Sequence, residues 1–178
     1  SGPIDLSTRM AVHFQRYFGG RVVYAGGYSG FGVSASRFGA QCVVASIDVR
    51  RLDEGGYRCF SHAGTRDTGR EVLAWARELA DRGAGEILLT SIDRDGSMTG
   101  YDLALVERVA RAVDIPVIAS GGAGSYQHMI DVVQQAGASA VAAASIFHFT
   151  ELTPAGAKAA MQAAGIPVRR NFVGEANP

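Results

Sequence analysis

Four short runs of apolar and β-branched residues recur along the chain: Cys42–Asp48 (CVVASID), Glu86–Asp93 (EILLTSID), Pro116–Gly121 (PVIASG) and Ala140–Phe147 (AVAAASIF). Each is close to continuously apolar, the pattern of a strand covered on both faces, as in a parallel sheet. Stretches with helical spacing follow each run. Thr68–Arg82 places Val72, Leu73, Trp75, Ala76 and Leu79 on one face and stops at Gly83. Tyr101–Val113 carries Leu103, Leu105, Val106 and Val109; Ser125–Ala136 carries Met129, Ile130, Val132 and Val133 and ends at Gly137. Thr153–Ala164 opens with Thr153 as N-cap and Pro154 at the first helical position, and ends at Gly165. The segment 49–68 is long for a strand-to-helix connection. Within it, Arg50–Leu52 and Tyr57–Phe60 flank Asp53-Glu54-Gly55-Gly56, which predicts a hairpin projecting from the end of the first strand.

The resulting order, βαβαβαβα, predicts a parallel sheet with right-handed crossovers. Three helix-to-strand junctions share one form, GAGEILL, DIPVIA and GASAVAA, so one supersecondary unit is repeated four times. This is the arrangement of a (βα)4 half-barrel of the TIM-barrel type. A complete eight-unit barrel needs about 250 residues, whereas this chain has 178. Four units alone leave open sheet edges and an uncovered inner face, both unfavourable in water. Pairing of two copies into a homodimer would cover both. An open sheet is the other possibility. Residues 1–35 do not fit the repeat. Ser1–Met10 reads as a leader, Ala11–Phe18 as a short helix, Arg21–Ala25 as a strand that could cap an open edge, and Gly26–Gly32 as a loop. Residues 36–170 form the repeated unit and 171–178 a tail.

Composition narrows the class. Hydrophobic residues make up 47% and charged residues 19%, the balance of a globular protein. Seventeen Lys and Arg offset 17 Asp and Glu, so no basic excess points to nucleic acid. No apolar run approaches the length of a bilayer span. Two cysteines, Cys42 and Cys59, form neither a disulfide framework nor a thiolate metal motif, and a reducing cytoplasm is the expected setting. Nothing in the sequence signals a metal or an organic cofactor.

In parallel α/β folds chemistry collects at the C-terminal strand ends. Asp48 ends the first run there, placed for proton transfer, although Asp is also an ordinary turn residue. Asp93-Arg94-Asp95-Gly96 follows the second run and reads as a polar turn with a self-neutralised charge cluster, with metal binding a weak alternative that has no His at ligand spacing to support it. Ser120-Gly121-Gly122-Ala123-Gly124 follows the third run and opens a helix. Glycines there let backbone N–H groups approach an anion at a helix N-terminus. Ala144 and Ser145 end the fourth run, and loops after the last two barrel strands often share one phosphate. His13, His62, His128 and His148 are scattered and read as surface or packing residues, and Trp75 reads as core.

Taken together, the segments CVVASIDVRR, FSHAGTRDTG, GAGEILLTSIDRDGSMTGYD, IPVIASGGAG and AAASIFHF resemble the cyclase subunit of imidazole glycerol phosphate synthase. The resemblance runs from about Ser36 to Arg169 and covers strands five to eight of that family's barrel. It implies an enzyme of histidine biosynthesis that closes an imidazole ring with ammonia supplied by a glutaminase subunit, acting on a ribotide with a phosphate at each end. It implies that Asp48 is the fifth-strand catalytic aspartate, with Thr90 and Asp95 lining the same mouth. Ser120, Gly121, Gly122, Ala144 and Ser145 would then grip one phosphate of a phosphorylated ribotide, or inorganic phosphate. The family's first aspartate, its neighbouring lysine and its second phosphate loop belong to the first half of the barrel. Residues 1–35 match none of them, and the glutaminase-docking face is incomplete. A non-catalytic fragment that self-associates and binds phosphate is the alternative expectation.

Overall fold

A computed structural model describes residues 39–169. The leader, helix, strand and loop expected within residues 1–35, His13 and the tail lie outside the described residues. One six-stranded sheet organises the rest, in the order β3-β2-β1-β4-β5-β6. A 3₁₀ turn, Ala40–Cys42, leads into β1, Val44–Arg51. β1 turns back into β2, Tyr57–Ser61, and β3, Arg66–Glu71. Then follow α1, Val72–Asp81; β4, Glu86–Ser91; α2, Leu103–Ala110; β5, Val117–Ser120; and α3, Tyr126–Gln134. β6, Ala140–Val141, α4, Ser145–Phe149, and α5, Pro154–Ala163, complete the chain.

β1, β4, β5 and β6 pair in parallel, each joined to the next through a helix except for the hairpin inserted after β1. β2 and β3 add to the β1 edge in antiparallel fashion. This is the parallel-dominated α/β sheet expected of a TIM-barrel-type half-barrel. Caps set the helix starts. Glu71 accepts from the N–H groups of Leu73 and Ala74, Asp102 from Leu105, Ser125 from His128, and Thr153 from Gly156. Each cap satisfies N–H groups that an isolated first turn leaves unpaired.

Three expectations need correction. The helix expected over 68–82 begins at Val72, because Arg66–Glu71 extends as β3 and pairs with β2. The fourth run does not stay extended to Phe147: β6 is two residues long, and Ser145 starts α4 instead of ending a strand. Among the described residues the strands are covered on one face, not two. Along β1, Ala45, Ile47 and Val49 are buried against the helices, while Val44 and Asp48 are half-buried and Ser46 is exposed. β4 alternates in the same way, with Ile87, Leu89 and Ser91 buried and Leu88 and Thr90 half-buried. The core lies between the sheet and α1, α2, α3 and α5, from Ile47 and Ile87 through Leu105 and Met129 to Met161. Continuous apolarity in these strands therefore serves two faces, of which the described residues cover one.

The edges differ as well. β2 pairs with β1 only over Asp48–Arg51. Val44–Ile47 has no strand partner on that side among the described residues, and neither has the far side of β6. The hairpin thus closes half of one edge.

Candidate active site

The strand register sets three of the expected residues in a row. Asp48 of β1 lies opposite Thr90 of β4, and Thr90 opposite Ser120 of β5. All three are half-buried on the face turned away from the helices. Ser120 ends β5 and Thr90 is next to last in β4, but Asp48 does not end its strand as expected: β1 continues to Arg51, because Val49–Arg51 pairs with the hairpin strand β2. The Asp48 carboxyl is held above the ordinary carboxylate range, first by burial and second by the negative charge of Asp95. A carboxyl that keeps its proton to higher pH is better matched to proton transfer near neutrality than a solvated one.

Asp95 stands on the loop that follows β4 and is exposed. The loop folds tightly back on itself: the N–H groups of Arg94 and Asp95 both donate to the Ser91 carbonyl, at 3.2 and 2.9 Å. Ser97 Oγ donates to the Arg94 carbonyl at 2.7 Å, and Arg94 Nη1 donates to Thr99 Oγ1 at 3.0 Å. This loop lies against the glycine loop 121–124. Gly100 N–H donates to the Gly122 carbonyl at 2.7 Å. A Cβ on Gly121 would stand 2.7 Å from the Ser91 carbonyl oxygen, and Cβ atoms on Gly122 and Gly124 would overlap the carbonyls of Gly100 and Met98. The glycines are thus required by loop-on-loop contact, whatever else they bind.

Between the two loops and the β6–α4 junction opens a cavity of about 290 Å³. Asp95, Ser120, Gly121, Gly122, Ala144 and Ser145 all line it, so the structure brings together every expected site residue after β4. Asp48 and Thr90 are not in its wall; Asp48 instead borders a second cavity of about 460 Å³, beside the hairpin. Among the described residues lining the smaller cavity, Asp95 is the one charged side chain. Tyr101 Oη donates to the Ala142 carbonyl at 3.0 Å and ties the end of the β4 loop to the end of β6. Burial pushes that phenol above its ordinary range, so it stays a neutral donor.

Sequence reasoning missed one contributor. His128, expected as packing, accepts the Gly124 N–H on Nδ1 at 3.2 Å and so holds the glycine loop from behind. Its position three residues after the Ser125 cap was the available signal. Trp75 packs against the core as expected, and its outer ring face is covered by the guanidinium of Arg70, 4.1 Å from the centroid, at the wall of the larger cavity. Cys59 is buried and its thiol is pushed up to about 12 by burial, so it is no nucleophile. Among the described residues no group of three or more His, Cys, Asp or Glu could hold a metal, and no helix is long and apolar enough to cross a membrane.

Parallel strands joined through helices, with polar residues and a glycine-walled cavity toward their C-terminal ends, define an α/β protein of the TIM-barrel type, the class in which ligand sites lie at those ends. A family model described as histidine biosynthesis protein matches residues 31–153, and the chain belongs to that family. Two similar relatives are the imidazole glycerol phosphate synthase subunit HisF of Caulobacter vibrioides strain NA1000 / CB15N and that of strain ATCC 19089 / CIP 103742 / CB 15. Each is 52% identical over 136 residues, which cover 76% of this chain and 52% of the relative. The chain thus spans about half the length of the curated relatives it matches.

Proposed function

We propose that this chain supplies the C-terminal half of a cyclase barrel that closes an imidazole ring with ammonia. Asp48 acts as an acid–base carboxylate, and the 290 Å³ cavity receives one phosphate of the ribotide. The observation that carries this reading is the row Asp48, Thr90 and Ser120, which runs from a carboxyl with a raised pKa to the rim of the glycine-walled cavity. Addition of ammonia to a carbon centre leaves a proton to be removed from nitrogen, and ring closure expels oxygen that must be protonated. One carboxyl can serve both needs if it cycles between its two forms. Thr90, its neighbour in the register, is placed to hydrogen-bond the same substrate atoms, and Ser120 Oγ and the cavity's backbone N–H groups to neutralise phosphate oxygens.

The uncovered sheet face supports a homodimer. On their outer sides Val44–Ile47 at one edge and β6 at the other have no strand partner among the described residues, and closing a barrel removes both edges. Two-fold pairing would set β1 of one copy against β6 of the other, restoring two Asp48 carboxyls and two phosphate cavities to one mouth. Light scattering of the full chain is expected to give a mass near twice 18.7 kDa. Ammonia-dependent cyclisation is expected in the dimeric fraction. A stable monomer without that activity would leave the alternative, a phosphate-binding fragment.

Charge makes the phosphate reading testable. Neutral donors and a single carboxylate, Asp95, form the cavity wall. Asp95→Asn removes a like charge and is expected to tighten inorganic phosphate by roughly threefold to tenfold, read by calorimetry at low salt. Weaker binding in the variant would place the anion elsewhere.

A further inference from the structure

One register pair of the hairpin grips both ends of the loop that carries Asp95. Arg51 and Tyr57 face each other at the last rung of the β1–β2 ladder. The Arg51 N–H donates to Asp93 Oδ2 at 2.8 Å, and Arg50 Nε lies 3.7 Å from Asp93 Oδ1. The Tyr57 hydroxyl donates to Asp102, 3.0 Å from each carboxylate oxygen. Asp93 and Asp102 bound the loop, and three residues between them, Asp95, Gly96 and Met98, line the 290 Å³ cavity. Asp102 is also the N-cap of α2, where Oδ1 accepts the Leu105 N–H at 3.0 Å.

We propose that Tyr57 is a positioning residue for this cavity: its hydroxyl anchors the C-terminal end of the 93–102 loop and so fixes the wall that faces the glycine loop. The proposal rests on reading the cavity as the phosphate site. Tyr57 itself is buried, 6% exposed, and lines neither of the two cavities. Its ring is held by packing, with the Arg108 guanidinium 5.6 Å from the centroid. The hydroxyl is therefore presented from a fixed support. Two residues before Asp102 stands Gly100, whose N–H makes the 2.7 Å bond to the Gly122 carbonyl. Slack at Asp102 passes through one residue, Tyr101, to the bond that seats the loops together. A hydrogen bond to a carboxylate is among the stronger kinds, and its loss leaves the acceptor half-buried with one partner fewer.

Tyr57→Phe keeps the ring and removes the hydroxyl. In the full chain without ligand, amide exchange at Gly100 is expected to accelerate roughly tenfold, the scale of one charge-assisted hydrogen bond. Exchange at Leu88 and Leu89 in β4 stays as in the parent chain. Inorganic phosphate, followed by amide shifts of Gly121 and Gly122, is expected to bind roughly threefold to tenfold more weakly. Asp102→Asn, which keeps an acceptor for both Tyr57 and the helix cap, shows the same changes in smaller degree, and the double variant is no worse than Tyr57→Phe alone. The proposal is overturned if Gly100 exchange does not change in Tyr57→Phe, or if β4 accelerates along with it, since a purely structural hydroxyl would loosen the whole sheet. A parent chain that takes up no phosphate overturns the phosphate reading, while the exchange comparison still decides the tether.

Discussion

Asp48→Asn is expected to lower ammonia-dependent cyclisation by roughly 10²–10⁴-fold, the usual contribution of one positioned proton-transfer group. Asparagine has nearly the shape of aspartate and can hydrogen-bond the same partners, but it carries no proton that can be exchanged at the reacting atoms. Thr90→Val, beside it in the register, removes a hydroxyl and no proton-transfer group, so a much smaller loss is expected there. The same Asp48 variant should be more stable than the parent chain at neutral pH, and the sign follows from the raised pKa. Burial and Asp95 make the folded state bind this proton more tightly than the unfolded chain does. The stabilisation from that proton is complete below the unfolded value, about 3.9, and is lost as pH rises through the higher folded value. At neutral pH the parent chain keeps the cost of a half-buried anion, and Asn does not. A gain of about 0.5–2 kcal/mol is the scale typical of relieving such a site. Melts at pH 7 and pH 3 should show the advantage at the first and not at the second. Lost activity with gained stability is the signature of a group held for chemistry. Unchanged cyclisation would remove Asp48 from the mechanism.

The parts of this fold that were legible in the sequence are those where burial dictates residue type. β1, β4 and β5 lie within two or three residues of the expected runs because Val, Ile and Leu must face α1, α2 and α3. Helix ends were legible where a cap residue marks them, as at Ser125 and Thr153. β3 was not, because Arg66–Glu71 is a solvent-exposed strand in which no residue has to be apolar. Its pairing is decided by the neighbouring backbone of β2, where Thr68 Oγ1 donates to the Cys59 carbonyl at 2.7 Å. The AVAAASIF run misled in the other direction. Alanine and serine serve a strand or a helix start equally, and Ile146 is buried in α4 as well as it would be in a strand. At the site, the glycine loop and Asp95 could be read from local chemistry. The clasp from Tyr57 to Asp102 could not, since it joins residues 45 positions apart that read separately as a strand aromatic and a helix cap.

The largest loss of stability at the site is expected from Gly122→Ala, and its neighbour Gly96 supplies the control. Both glycines have positive φ, 106° at Gly122 and 73° at Gly96. An L-residue pays about 1–2 kcal/mol in that region at either position. Their surroundings differ. A Cβ at Gly96 meets nothing within 4 Å, whereas one at Gly122 overlaps the Gly100 carbonyl and stands 3.1 Å from Arg94 Cβ. The obstacle at Gly122 is backbone, and that backbone is fixed by the Gly100–Gly122 hydrogen bond and by the Tyr57–Asp102 anchor beyond it. It cannot swing aside as the end of a flexible side chain would. Overpacking of this kind adds about 1–3 kcal/mol to the conformational strain. Gly122→Ala should therefore melt roughly 10 °C lower than the parent chain, and Gly96→Ala only a few degrees lower, at about 2–4 °C per kcal/mol for a domain of this size. Phosphate binding should be abolished in the first variant, because the two loops that wall the cavity are forced apart; Gly96 also lines the cavity, so its variant is the control for melting alone. Equal melting of the two variants would mean that the loops yield freely, and the close backbone contact would then have no part in holding the cavity open.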